Sequence, residues 1–187
     1  MKLTVTPRGE NKKGAINDIR RKGDIPAILY VKGKACEPIT VKGVEFSAIL
    51  RGLKPGHLPT TIFTLSDGKH ERRVVIKDIQ RHTVNYQVSH IDFEQLVEDA
   101  PLCVKVPITL IGVADCSGVK LGGFLRQVIR YLKVECLPKS IPAEFLIDVK
   151  DLGIKQTKRL SDIVMPKGVK PLAPMEEVVV VVAKGKG

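Results

Sequence analysis

Apolar and polar residues alternate along most of the chain with a period of two, the signature of half-buried strands, and stretches with helical spacing are few and short. The opening segment Leu3-Thr4-Val5-Thr6 alternates in this way, and the polar residues 7–14 read as a loop. Residues 15–22 have helical spacing, with Ala15, Ile16 and Ile19 on one face and Gly23 placed to stop the helix. The apolar run 25–31 predicts a buried strand, and residues 38–41 predict another. A helix over 44–51 then turns Phe46, Ile49 and Leu50 inward. Residues 61–65 and 71–76 flank Ser66-Asp67-Gly68-Lys69, and Asp-Gly between two strand-like runs marks a hairpin. One more strand is predicted over 86–93. Five or six short strands with a helix or two suggest a small barrel-like sheet, a shape often used to recognise RNA.

Acidic residues (Glu94, Glu98, Asp99) ahead of Pro101 mark a boundary at 94–100, after which strand alternation resumes over 102–110. Gly112, Gly118, Gly122 and Gly123 punctuate loops. Residues 124–136 predict one long twisted strand or two, and 145–149 and 178–182 close a second β-rich region. Between them, 160–166 reads as a short helical turn ending before Pro166. The expected architecture is mainly β with short helices (α+β). A barrel-like domain spans 1–93, a linker 94–100, and a second β-rich domain 101–187, ending in a flexible tail from Lys184.

Composition sharpens this reading. At 187 residues and 43% hydrophobic content, a core can be buried without disulfides. Only 4% of residues are aromatic and none is Trp, so core volume must come from Val, Ile and Leu, which favours strands. The net charge of +11 promotes association with polyanions. Residues 1–93 carry 17 Lys+Arg against 9 Asp+Glu and residues 94–187 carry 14 against 11, so the surplus lies in the first part. All four His are there too, which points to a nucleic-acid-facing amino-terminal region and a more neutral partner region.

Catalytic chemistry is not indicated. Cys36, Cys103, Cys116 and Cys136 are widely separated, with no Cys-x-x-Cys pair, so no metal site is expected and reduced, cytoplasmic thiols are the simple reading. No leader is apparent, and the longest apolar run, 178–183, is too short to span a bilayer. Gly118-Val119-Lys120-Leu121-Gly122-Gly123 lacks the strand–glycine–helix context of a nucleotide site and reads as a plain loop, so no cofactor is expected. His90 and Asp92, two apart in a predicted strand, share one side. They suit either a satisfied structural pair or two hydrogen-bonding groups aimed at a ligand. Lys12-Lys13, Arg20-Arg21-Lys22 and Arg72-Arg73 supply cations for phosphate, with Tyr30 and Tyr86 nearby.

Two stretches carry a specific resemblance. Lys13-Gly14-Ala15 with Arg20-Arg21-Lys22-Gly23 and Ile25-Pro26-Ala27-Ile28-Leu29-Tyr30, and then Val75-Ile76-Lys77-Asp78-Ile79-Gln80-Arg81-His82 with Ser89-His90-Ile91-Asp92-Phe93, resemble the bacterial large-subunit ribosomal protein twenty-five family. Val106-Pro107-Ile108, the glycine-rich run and Pro138-Lys139-Ser140-Ile141-Pro142 resemble the additional domain of its long Ctc (general stress protein) form. The resemblance implies a non-enzymatic ribosomal protein with a six-stranded barrel-like domain. It implies binding to 5S ribosomal RNA at loop E, in the central protuberance of the large subunit beside neighbouring ribosomal proteins. The implied RNA contacts are Arg8, Lys13, Arg20, Tyr30, Gln80, His90 and Asp92. This chain has Asn17-Asp18 where the family commonly has two Arg, and Arg21 and Lys22 are the cations placed to compensate. The competing reading is a stress-related RNA-binding factor or RNA chaperone acting off the ribosome, which would need exposed aromatics for stacking.

Overall fold

The computed structural model describes residues 1–9, 13–31, 33, 35–68, 70–98 and 100–184. They form two compact units, Met1–Ala100 and Pro101–Gly187. In the first, β1 (Lys2–Pro7) leads to α1 (Lys13–Arg21), then β2 (Ile25–Tyr30), β3 (Glu37–Val41) and α2 (Gly43–Gly52). The strands β4 (Ile62–Ser66), β5 (Glu71–Arg81) and β6 (Val88–Gln95) complete it. Six strands close into a barrel in the order β1-β3-β2-β6-β5-β4, sealed by the parallel pairing of β1 with β4.

Alternation explains the interior. Leu3 and Val5, Ala27 and Leu29, Ile39 and Val41, Phe63 and Leu65, and Ile91 and Phe93 sit two apart on their strands, and all are buried. Helix α2 adds the fully buried Phe46, the inward position its spacing predicts. The Glu45 carboxylate accepts from the Thr4 amide at 2.9 Å, which ties the start of this helix to β1. Gly23 ends α1 near φ +83°, in the left-handed region open to glycine. A side chain on Gly43 would meet the Gly23 carbonyl oxygen at 1.9 Å, so this crossing of the chain requires a glycine.

The β5–β6 pair departs from a regular ladder. Ile76 is opposite Phe93 but Asp78 is opposite Asp92, so Lys77 is the extra residue of a bulge. Gln80 is opposite His90 but Arg81 is opposite Val88, so Ser89 is the extra residue of a second one. The strand expected over 86–93 instead runs from Val88 to Gln95, because Tyr86 takes a left-handed turn conformation near φ +55°.

The second unit contains β7 (Leu102–Ile111), α3 (Ser117–Lys120), β8 (Gly123–Gln127), β9 (Tyr131–Cys136), β10 (Phe145–Asp148), β11 (Thr157–Arg159), β12 (Val169–Pro171) and β13 (Val178–Lys184). They form a four-stranded sheet, β10-β7-β9-β12, and a three-stranded sheet, β11-β13-β8. Residues 124–136 are two strands in different sheets, divided where the Val128 and Ile129 amides both donate to the Val179 carbonyl. The glycine-rich run is not the plain loop its composition predicts. It holds the single turn α3 and the start of β8, and its glycines serve close packing: a side chain on Gly118 would meet Val182 Cγ1 at 2.7 Å and the Leu152 carbonyl oxygen at 2.9 Å. The helical turn expected over 160–166 is one 3-10 turn at Leu160–Asp162. Strands β11 and β12 are not predicted at all, since three residues are too few to show a period. Lys184 ends β13, and the rest of the expected tail lies outside the described residues.

Candidate nucleic-acid interface

Because odd positions of β2 and β6 face the barrel interior, Ile28 and Tyr30 on β2 and His90, Asp92 and Glu94 on β6 face outward. Parallel register sets Ile28 beside Asp92 and Tyr30 beside Glu94. Antiparallel register sets Gln80 of β5 opposite His90. Tyr30, Gln80, His90 and Asp92, which the resemblance singled out, therefore occupy one stretch of outer sheet face. Spacing within β6 joins His90 to Asp92, and register brings Tyr30 and Gln80 beside them.

His90 and Asp92 pair directly. The imidazole Nδ1 lies 3.0 Å from the Asp92 carboxylate, and the side chains are 17% and 23% exposed. A carboxylate on Nδ1 places a proton there and leaves Nε2 as the ring nitrogen that Asp92 does not engage. Of the two readings open at the level of sequence, the structural pair is the one this contact bears on: Asp92 is satisfied by His90. Gln80, an amide, can donate and accept. The Asp92 charge, and after it burial, pushes the Tyr30 phenol above its ordinary pKa, with Cys36 adding to the rise and Lys77 opposing it. The phenol is therefore a neutral hydroxyl at physiological pH. Lys77, swung out by the first bulge, lies 6.0 Å from the Tyr30 ring centre and 3.2 Å from the Glu94 carboxylate.

Helix α1 brings cations to this face. Its 3.6-residue period puts Lys13, Ile16 and Arg20 on one side, with Asp18 nearly opposite Ile16. Arg20 Nε donates to the carbonyl of Ser89 at 3.1 Å, the residue that the second bulge leaves without a ladder partner. A groove beside the helix is lined by Arg8, Ile16, Arg20, Pro26, Ile28, Cys36, Pro38 and His90. Arg8 is held at the end of β1 by its amide, which donates to the Pro38 carbonyl at 3.0 Å. Two guanidinium groups and an imidazole thus share a groove with an apolar floor.

Two expected residues stand apart. Lys13 is exposed at the start of α1, on the Arg20 side but outside the groove lining. Arg21 reaches Asp18 at 3.3 Å on the solvent side of the helix. Asp18 is thereby paired within α1 and turned away from the groove, and Arg21 is engaged there, which limits it as a replacement cation. Arg72 pairs with Glu37 of β3, so it is engaged within the barrel. Cys36 and Pro38 were not singled out as site residues. Strand parity locates Pro38, which faces opposite to the buried Ile39 and Val41. Cys36 precedes β3, and no local signal brings it to the groove.

The face is a mixture and not a uniform basic patch. Asp78, Asp92 and Glu94 lie among the polar groups, and carboxylates repel phosphate. Such a face offers hydrogen-bond donors and acceptors, with the Arg8 and Arg20 guanidinium groups in the groove beside it.

Comparisons with known proteins agree in extent with the two units. Residues 3–93 match the profile of the Ribosomal L25p family, and residues 101–186 match that of Ribosomal protein TL5, C-terminal domain. The chain is 47% identical over 184 residues to Large ribosomal subunit protein bL25 of Chlamydia muridarum, covering 98% of this chain and 100% of the relative. The corresponding proteins of Chlamydia abortus and Chlamydia pneumoniae are 46% and 44% identical over the same length and coverage.

Proposed function

The chain belongs to the ribosomal L25p family in its long, two-domain form, and from that membership we propose that it binds 5S ribosomal RNA at the irregular loop E helix through the outer face of its barrel. Its role is structural, as a component of the large ribosomal subunit in the cytoplasm, and similarity along the full length of large-subunit proteins favours this over action away from the ribosome. Residues 1–93 make up the RNA-binding domain, and residues 101–187 face neighbouring ribosomal proteins.

The observation that carries the reading is the convergence of Arg8, Arg20 and His90 on one groove, with Gln80 opposite His90 and Asp92 fixing its ring. A regular A-form helix hides its deep major groove and offers a shallow minor groove of base edges and 2′-hydroxyls. Non-Watson–Crick pairs distort that surface, exposing donors and acceptors in a pattern a duplex lacks. His90 Nε2 accepts from a hydroxyl or exocyclic amine, Gln80 donates and accepts beside it, and Tyr30 supplies a neutral hydroxyl. Arg8, Arg20 and Lys13 hold the backbone, so register comes from phosphate contacts and specificity from the sheet.

The test is a titration of the intact chain with 5S RNA and with the same RNA carrying regular duplex in place of loop E. We expect a preference of about tenfold or more for the natural RNA, comparable to one or two lost base-edge contacts. Equal affinity would leave only nonspecific charge attraction. A steep salt dependence would not rescue the claim, since nonspecific binding shows it too.

A further inference from the structure

We propose that Tyr86, at the tip of the turn joining β5 to β6, stacks on an RNA base beside the helix contacted by Gln80 and His90. The proposal rests on reading the outer face of those strands as the RNA surface, and adds a second mode of contact to it. Tyr86 is 71% exposed and Val84, in the same turn, 82%. The backbone that carries the ring is nevertheless held in place. The Tyr86 amide donates to the His82 carbonyl at 2.9 Å, and the His82 amide donates to the Gln87 carbonyl at 2.8 Å. The Gln87 amide donates to Asn85 Oδ1 at 3.1 Å, and the Val84 amide to His82 Nδ1 at 3.3 Å.

Tyr86 also adopts φ near +55°, a conformation unfavourable for a bulky non-glycine residue. The turn is therefore ordered before any partner arrives, and it holds an aromatic ring in water at some conformational cost. A partner that covers the ring recovers the exposed apolar area with little further ordering.

Charge selects the partner. No acidic residue occurs from Ile79 to Ile91, and the Arg81 guanidinium stands at the base of the turn. An aromatic on an acid-free turn beside a guanidinium matches single nucleotides, because every base offers a π-face and every nucleotide a phosphate. Tyr86 is four residues from His90, so their backbones are at most about 14 Å apart. One RNA helix and its flanking unpaired nucleotides can contact both.

The chain contains no Trp, so Tyr86→Trp in the full-length protein places a single indole reporter in the turn. Titrated with 5S RNA, its emission should fall by more than half and become protected from acrylamide. Tyr86→Ala should weaken binding about tenfold without changing the salt slope, since no phosphate contact is lost. Tyr86→Phe should stay within about twofold of the wild type. Tyr86→Gly, which relieves the backbone strain, should keep the fold and lose as much affinity as Tyr86→Ala, separating stacking from a folding defect.

Unchanged emission with RNA fully bound would overturn the proposal, as would wild-type affinity in Tyr86→Ala. An equal loss in Tyr86→Phe would assign the contact to the hydroxyl and reject stacking. An indole left open on RNA and shielded only in the assembled large subunit would give the ring to a protein neighbour, and overturn the proposal as well. The loop E substitution keeps the parent reading separate: quenching that persists when both RNAs bind equally would sustain the stack while rejecting loop E recognition.

Discussion

The two units are built from the same kind of residue in the same kind of strand, yet they handle strand edges in opposite ways. The first closes its sheet, so β1 through β6 have hydrogen-bonded neighbours on both sides and no edge is left to cover. The second leaves two open sheets. Of their four edge strands (β8, β10, β11 and β12), β11 and β12 are only three residues long and carry Lys158 and Arg159 in one and Lys170 and Pro171 in the other. Short length, charge and proline are the usual defences of an edge against pairing with another chain. Closure leaves the outer face of the first unit on backbone that is paired on both sides except at the two bulges of β5–β6, which swing out Lys77 and expose the Ser89 carbonyl to Arg20. The second unit shows no comparable gathering of guanidinium, imidazole and amide groups among its described residues.

If this contrast is right, damage to one unit should leave the other intact. Phe46→Ala removes a fully buried ring from the barrel core and should cost about 3–5 kcal/mol. Calorimetry should show the barrel transition lost or moved far down while a second transition persists. A single transition shifting as a whole would show that the units unfold together.

Gly118→Ala is the counterpart in the second unit. Its new methyl would press on Val182 and on the Leu152 carbonyl, for a cost of about 1–3 kcal/mol. RNA affinity at a temperature below both transitions should stay at the wild-type value. A parallel fall in affinity would mean that the second unit takes part in recognition.

The smallest effect expected is local. Asp92→Asn removes the largest cause of the raised Tyr30 pKa, so ultraviolet titration should show that phenol ionising at lower pH than in the wild type. The sign follows from charge: a nearby carboxylate disfavours phenolate, and its removal stabilises it. An unmoved Tyr30 titration would mean that Asp92 does not govern the electrostatics of the face.

Much of this was legible in the sequence. Period-two alternation locates most strands of the barrel, and the spacing of Phe46, Ile49 and Leu50 locates α2. The pair His90 and Asp92 is visible because residues two apart on a strand share a side. What closes the barrel is not visible, since β1 pairs with β4 across some sixty residues with no local mark. The convergence of Arg8, Arg20 and His90 is hidden for the same reason. The phase of α1 needed its packing, which turns Asp18 and Arg21 to solvent. In the second unit the glycines of 118–123 look like loop residues because composition cannot distinguish freedom from close approach.

The most direct test divides the chain between its units. Fragments 1–100 and 101–187, each checked for a cooperative thermal transition, would be titrated with 5S RNA beside the full chain at one salt concentration. The first should bind within a few-fold of the full chain and keep its preference for loop E, and the second should bind weakly and without preference. Tight binding by 101–187, or loss of preference by 1–100, would contradict the account.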